Sequence, residues 1–226
     1  MRAALVLRPE PGNARTALLL EQAGVVALRQ PLFAVQPVGW TPPDPHRFDA
    51  LMLTSANAVR HAGPGLDALR HLPVITVGDA TARAAQAAGL QVVLTGTGDA
   101  AALLAQARQL GFAHPLHLAG RDRIGAGEAI TVYASEPLPL PPTVATDWHD
   151  KVALLHSIRA ARRFAELAAL ERARIALAAL SPAILAAAGP GWHVAASAGE
   201  PRDAALVTLA RSLIDRAAID GDKWRR

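Results

Sequence analysis

A chain of 226 residues, 51% apolar and 19% charged, has ample material for a buried core, which excludes disorder and fits one large domain or two small ones. It has no cysteine, so disulfides, thiolate metal sites and cysteine nucleophiles are excluded. The net charge of +4 rests on arginine, with Lys151 and Lys223 the only lysines, and planar guanidinium forks favour carboxylate or phosphate ligands.

The arginines are scattered, with neither a basic stripe nor interleaved aromatics, which argues against nucleic acid. No charge-free run of about 18 apolar residues occurs, and residues 1–8 are too short a stretch for a secretory segment. The expectation is a cytoplasmic protein that does not enter a membrane.

Residues 3–7 form an apolar run, followed by Arg8-Pro9-Glu10-Pro11-Gly12 and a helical pattern through Leu18, Leu19 and Ala23 that stops at Gly24. A second strand is expected at residues 25–28. Pro31, Pro37, Pro42, Pro43 and Pro45 then break the chain and predict an extended crossing rather than a packed element, with a domain boundary near residues 35–46. Residues 49–53 predict a buried strand, Thr54-Ser55-Ala56-Asn57 a turn with capping side chains, and Ala58 onward a helix. Residues 74–77 run into Gly78-Asp79-Ala80-Thr81 and a helix over 82–88. A strand at 92–94 and a helix at about 99–110 close the block, an alternation that predicts a parallel sheet covered on both faces.

The second half repeats this order. Residues 152–157 echo 50–55, residues 175–181 echo 75–81, and Asp203-Ala204-Ala205 echoes Asp99-Ala100-Ala101. Leu116-His117-Leu118-Ala119-Gly120-Arg121 likewise echoes Leu5-Val6-Leu7-Arg8. Pro137, Pro139, Pro141 and Pro142 form a second proline-rich stretch, so the chain is expected to cross twice between two α/β lobes and to leave a hinge and a cleft.

Ligands of open parallel sheets bind beyond the carboxyl ends of the strands, where loops feed helix N-termini and free amides attract anions. Thr54-Ser55-Ala56-Asn57, Gly78-Asp79-Ala80-Thr81, His156-Ser157 and Ser181-Pro182 fall there. Each hydroxyl alone is a helix cap, and the functional reading comes from the set. Phosphate loops, dinucleotide fingerprints and zinc-type histidine spacing are absent, and the glycines of residues 120–127 predict a flexible turn. His46, His61, His71 and His149 are expected in solvent, leaving only His156 in a candidate site. Arg159, Arg162 and Arg163 share a helical face expected to be solvated, and Arg159 is kept as a candidate because it lies in the first turn.

Residues 48–59, running Phe-Asp-Ala-Leu-Met-Leu-Thr-Ser-Ala-Asn-Ala-Val, resemble the segment that opens the first cleft helix of the uroporphyrinogen-III synthase family. Residues 77–82, Leu7-Arg8-Pro9 and Ile130-Thr131-Val132-Tyr133 resemble further family segments, the last being the strand that carries the family's tyrosine. The second half matches more weakly, at His156-Ser157, residues 179–182 and residues 198–201. The resemblance implies two flavodoxin-like parallel-sheet lobes joined by a two-segment hinge, one combining residues 1–34 with 136–226 and the other spanning 38–132. It implies a cofactor-free lyase of heme biosynthesis that cyclises hydroxymethylbilane, a linear tetrapyrrole, to uroporphyrinogen III with loss of water and inversion of ring D. Tyr133 would be the catalytic residue, and Arg8, Thr54, Ser55, Ala56, Asn57, Thr81, Ser157, Arg159 and Ser181 would bind substrate. A monomer supplied by hydroxymethylbilane synthase is expected.

Two features depart from the family. The stretch from Asp122 to Ile130 is too short for the full helix that usually precedes the tyrosine strand, and Leu180-Ser181-Pro182 replaces a glycine-containing turn that ends in threonine. The alternatives are a non-enzymatic two-lobe binding protein for a small anion and a family member without the activity. A nucleotide-dependent transferase is disfavoured by the missing glycine-rich loop.

Overall fold

The computed structural model describes the backbone of residues 3–123 and 127–223, and side chains up to residue 216 except that of residue 142. Two compact units emerge, one formed by Met1–Ala34 and Pro137–Arg226, the other by Val35–Glu136. The chain opens with β1 (Ala3–Val6), α1 (Gly12–Gln22) and β2 (Val26–Arg29) of the first unit. It continues through β3 (Phe33–Pro37), β4 (Ala50–Leu53), α2 (Ala56–His61), β5 (Val74–Val77), α3 (Asp79–Ala87), β6 (Val92–Gly96), α4 (Ala100–Gln109), β7 (Pro115–Gly120) and β8 (Ala129–Pro137). The first unit resumes with β9 (Val152–Leu155), α5 (Ile158–Leu167), β10 (Ala176–Ala179), α6 (Pro182–Ala188), β11 (Val194–Ser197) and α7 (Asp203–Lys223).

β1, β4, β9 and β10 consist only of Ala, Val, Leu and Met, and every residue in them is buried, as interior strands of a doubly covered parallel sheet require. β2 and β11 stand at the edges of the first sheet and are largely exposed. That sheet has the order β11-β10-β9-β1-β2, with every pair parallel. Renumbered within its own unit it reads 2-1-3-4-5 from β2, the flavodoxin-like order. The second sheet runs β3-β8-β7-β4-β5-β6. Matching β9, β10, β11, β1 and β2 to β4, β5, β6, β7 and β8 superimposes the two strand orders, with β3 added beside β8. Three of these matches, β9 with β4, β10 with β5 and β1 with β7, also appear as sequence echoes, so the duplication is visible in the topology.

Each sheet is covered on both faces. In the first unit Leu5, Leu155, Leu177 and Phe164 share one core with Trp148, while Val6, Leu20, Leu154 and Leu206 form the other. Trp148 stacks on Phe164 at 4.7 Å between ring centroids, and Phe164 on Trp192 at 5.5 Å. Aromatic pairs of this kind add about 0.5–1.5 kcal/mol beyond burial. In the second unit Leu51, Leu53, Leu116 and Leu118 pack with Leu66 and Leu69, and Met52 and Ile75 pack with Leu103 of α4.

The segment after Pro31 departs from expectation. It is not an unpacked crossing: β3 is a strand at the edge of the six-stranded sheet, and Phe33 is only 5% exposed. An edge strand needs amide donors on one side only, so it tolerates the flanking Pro31 and the terminal Pro37.

The short connection from β7 to its parallel neighbour β8 has a geometric explanation. β8 begins opposite His117 rather than opposite the start of β7, so the chain must return only three residues, about 10 Å, along the sheet. No helix occurs in the described part of the connection, residues 121–123 and 127–128. The turn expected over residues 120–127 lies partly outside the described residues.

Candidate functional site

In an open α/β sheet the ligand crevice opens where successive connections diverge, at the carboxyl ends of the two strands on either side of that point. In the first unit these strands are β1 and β9, and in the second they are β4 and β7. Both places are polar.

At the first switch point Arg8 follows β1 and folds back toward α7. Its Nη1 donates to both carboxylate oxygens of Asp203, at 3.0 and 2.9 Å, and lies 3.4 Å from Thr16 Oγ1. This path needs Gly12, because a Cβ there would fall 2.7 Å from the Arg8 Cζ. Buried Asn13 fixes the loop by donating from Nδ2 to the carbonyls of Val6 and Arg8, at 2.8 and 2.9 Å. Thr16 donates to Asp203 at 3.3 Å, and Arg15 Nε stands 3.6 Å from the same carboxylate. His156, the residue after β9, brings its Nε2 to 3.5 Å from Asp203 Oδ1. The His156 imidazole is the chief cause that holds the Asp203 carboxyl down to about 2, and Arg8 and Arg15 add to it against the opposing effect of burial.

Ser157 and Ser181 cap α5 and α6, their hydroxyl oxygens accepting from the amides of Ala160 at 3.1 Å and Ile184 at 3.4 Å. Ser181-Pro182 is a sound helix start, with extended backbone at the cap and proline in the first turn. The Arg159 guanidinium lies 4.4 Å from the centroid of the Phe33 ring, and Arg163 donates to the Leu138 carbonyl at 3.0 Å, so this helical face is partly occupied rather than simply solvated.

At the second switch point Thr54 and Ser55 follow β4. Ser55 caps α2 by accepting from the Asn57 amide at 3.2 Å, Ala56 offers the first amide of that helix, and Asn57 Oδ1 accepts from Arg60 at 3.1 Å. Thr54 Oγ1 lies 3.0 Å from Nε2 of His117, a buried residue of β7. Burial first, and then Arg123, push His117 down to about 4, so the ring is neutral at physiological pH. Gly78 adopts φ +74° ahead of α3, whose first turn has no side-chain cap, while Thr81 is only 5% exposed and shows little of its hydroxyl.

Tyr133 of β8 lies against the end of β7. A Cβ at Gly120 would stand 2.7 Å from the tyrosine Cζ and 2.9 Å from its hydroxyl, so glycine admits the ring. The His61 ring is 6.3 Å away, and burial followed by Arg60 lowers its pKa.

The sequence expectations thus fall at two places, with Arg8, Ser157 and Ser181 at the first and Thr54, Ser55, Ala56, Asn57 and Tyr133 at the second. His117, Asp203, Thr16 and Asn13 were not anticipated. The echo of Asp99 in Asp203 was the available signal, but its partner Arg8 lies 195 positions away. His149 also departs from expectation: its side chain is only 18% exposed and its Nε2 meets Glu171 at 2.5 Å. Among the described residues no cluster of His, Asp or Glu is arranged to hold a metal, and no helix is long and apolar enough to cross a membrane.

Fold and site define a two-unit, doubly wound parallel α/β protein with polar switch points. The chain belongs to the uroporphyrinogen-III synthase family, lyases of heme biosynthesis: the family model described as Uroporphyrinogen-III synthase HemD matches residues 14–208. The uroporphyrinogen-III synthetase of Helicobacter pylori has a similar fold, with a TM-score of 0.65 at 18% identity over 94% of this chain and 100% of that one. A mutant uroporphyrinogen III synthase of Thermus thermophilus gives 0.51 at 14% identity over 95% and 99%. Comparison with curated protein sequences finds no match.

Proposed function

We propose that this chain closes hydroxymethylbilane to uroporphyrinogen III with loss of water and inversion of the last pyrrole, and that it does so without a cofactor. The observation that carries the reading is the donor set at the two switch points of a member of this family. Arg8, Arg15, Ser157 and Ser181 in one unit, and Thr54, Ser55 and the amide of Ala56 in the other, suit a substrate rich in carboxylates, with Asn57 offering its side chain because its amide already donates to Ser55. Arg159 and Thr81 are candidates of second rank, one lying over Phe33 and the other buried.

The chemistry asks little covalent work of the protein. A pyrrole nitrogen expels the terminal hydroxyl as water, and a ring carbon then attacks the cationic azafulvene. Holding the chain so that the substituted carbon attacks first, through a spiro intermediate, is a task of orientation and of stabilising transient charge. The Tyr133 hydroxyl is the proposed donor to the departing oxygen, with neutral His61 beside it. The protein is read as a cytoplasmic monomer that receives its substrate from hydroxymethylbilane synthase.

The test is incubation with freshly generated hydroxymethylbilane and chromatography of the oxidised products. Isomer III is expected. Isomer I at the spontaneous rate would leave a binding protein or an inactive family member.

A further inference from the structure

His117 stands inside β7 with 2% exposure, its Nε2 3.0 Å from Thr54 Oγ1 and its Nδ1 buried without a hydrogen-bonding partner among the described residues. The register creates the contact. His117 pairs with Met52 across β7 and β4, and Thr54, two residues further along, points to the same side of the sheet.

The neutral imidazole carries one N–H, on Nδ1 or on Nε2. On Nδ1 it would be a buried donor without an acceptor, which folded proteins almost never retain. On Nε2 it bonds to Thr54 and leaves only a lone pair unmatched. Thr54 Oγ1 is then the acceptor of that bond, and its own O–H is free to donate elsewhere. Thr54 is partly exposed and sits at the carboxyl end of β4.

We infer that His117 is a positioning residue: its Nε2–H fixes Thr54 Oγ1 as an acceptor and turns the threonine proton outward, as a donor to a carboxylate of the substrate. The identity of that anion rests on the proposed reaction. Burial and the neighbouring Arg123 keep the ring neutral, so the arrangement persists at physiological pH.

Two-bond ¹⁵N–¹H correlation spectra of the whole ¹⁵N-histidine-labelled chain test the tautomer without substrate, the His117 signal being assigned by its loss in His117→Gln. The Nε2–H pattern at pH 7 is expected; an Nδ1–H or doubly protonated ring overturns the inference whatever the activity. Kinetics test the role. Thr54→Val and His117→Met should each raise KM for hydroxymethylbilane about tenfold with kcat little changed. The double variant should be no worse than either single one. His117→Gln should restore KM, because its amide offers an N–H at similar reach. Additive effects, or failure of glutamine to restore KM, overturn the donor role. An unchanged KM in Thr54→Val overturns the contact with substrate, while isomer III formation by the unmodified chain reports separately on the reaction.

Discussion

Arg8 donates through Nη1 to both carboxylate oxygens of Asp203, tying the end of β1 to the start of α7 across 195 positions. The pair is mostly shielded, with side chains 25% and 20% exposed, so the guanidinium enters the switch point with its charge already matched. Asp203→Asn removes the match. It should lower stability by about 1–3 kcal/mol and tighten low-salt binding of a polycarboxylate, since Arg8 and Arg15 then face no fixed anion. Thermal melts and a binding titration on one preparation check both signs; looser binding would mean that Asp203 orients Arg8 rather than competing for it.

Stability should fall on mild acidification. His117 has a folded pKa of about 4 against 6.5 for a free ring, so the folded state binds fewer protons in between. Its contribution is complete above about pH 6.5 and declines as pH drops toward 4, by up to about 3 kcal/mol. His61, also lowered, acts in the same direction. Asp203 behaves as a depressed carboxyl: its contribution holds above about pH 4 and is lost only as pH falls through about 2. Urea midpoints from pH 7.5 to 4.5 should therefore decline in the parent chain and flatten in His117→Gln.

Tyr133→Phe removes only the phenolic group. If that group assists departure of the hydroxyl, turnover should drop about 100-fold or less, because the leaving group is already labile, while the melt stays within about 1 kcal/mol. Gly120→Ala should act on the same residue from behind. Its methyl would stand 2.7 Å from the ring, and overpacking of this kind destabilises by about 1–3 kcal/mol. Early melting of Tyr133→Phe with normal turnover at low temperature would make the tyrosine structural.

Raising ionic strength should weaken substrate binding, because Arg15 is 64% exposed and salt shortens the reach of exposed charge to about 8 Å at 0.15 M. An affinity indifferent to salt would count against a polyanionic substrate. Dialysis against a chelator should leave isomer III formation intact; its loss, with recovery on adding metal, would refute cofactor-free chemistry.

Much of the fold was legible because its interior strands are buried on both faces and read as unbroken apolar runs, as in Ala50–Leu53 and Val152–Leu155. The mouths were legible for a local reason, since Ser55, Ser157 and Ser181 cap the helices that directly follow them. β3 was hidden because Pro31 and Pro37 mark breaks in most contexts and are harmless on an edge. Asp203 and His117 were hidden for another reason. What matters about each is its partner, and Arg8 and Thr54 lie 195 and 63 positions away.

The first unit is assembled from the two ends of the chain, and this has a consequence for its birth. β1 pairs with β9 on its inner side, Ala4 opposite Val152, a partner translated 148 positions later. At synthesis rates of about 5–20 residues per second, the nascent strand waits about 7–30 s with that edge unpaired. The second unit, Val35–Glu136, is contiguous and leaves the ribosome whole within the interval. Assembly is therefore expected to be vectorial: the contiguous middle of the chain can complete its sheet while the fragment carrying Arg8 still lacks β9, β10 and β11.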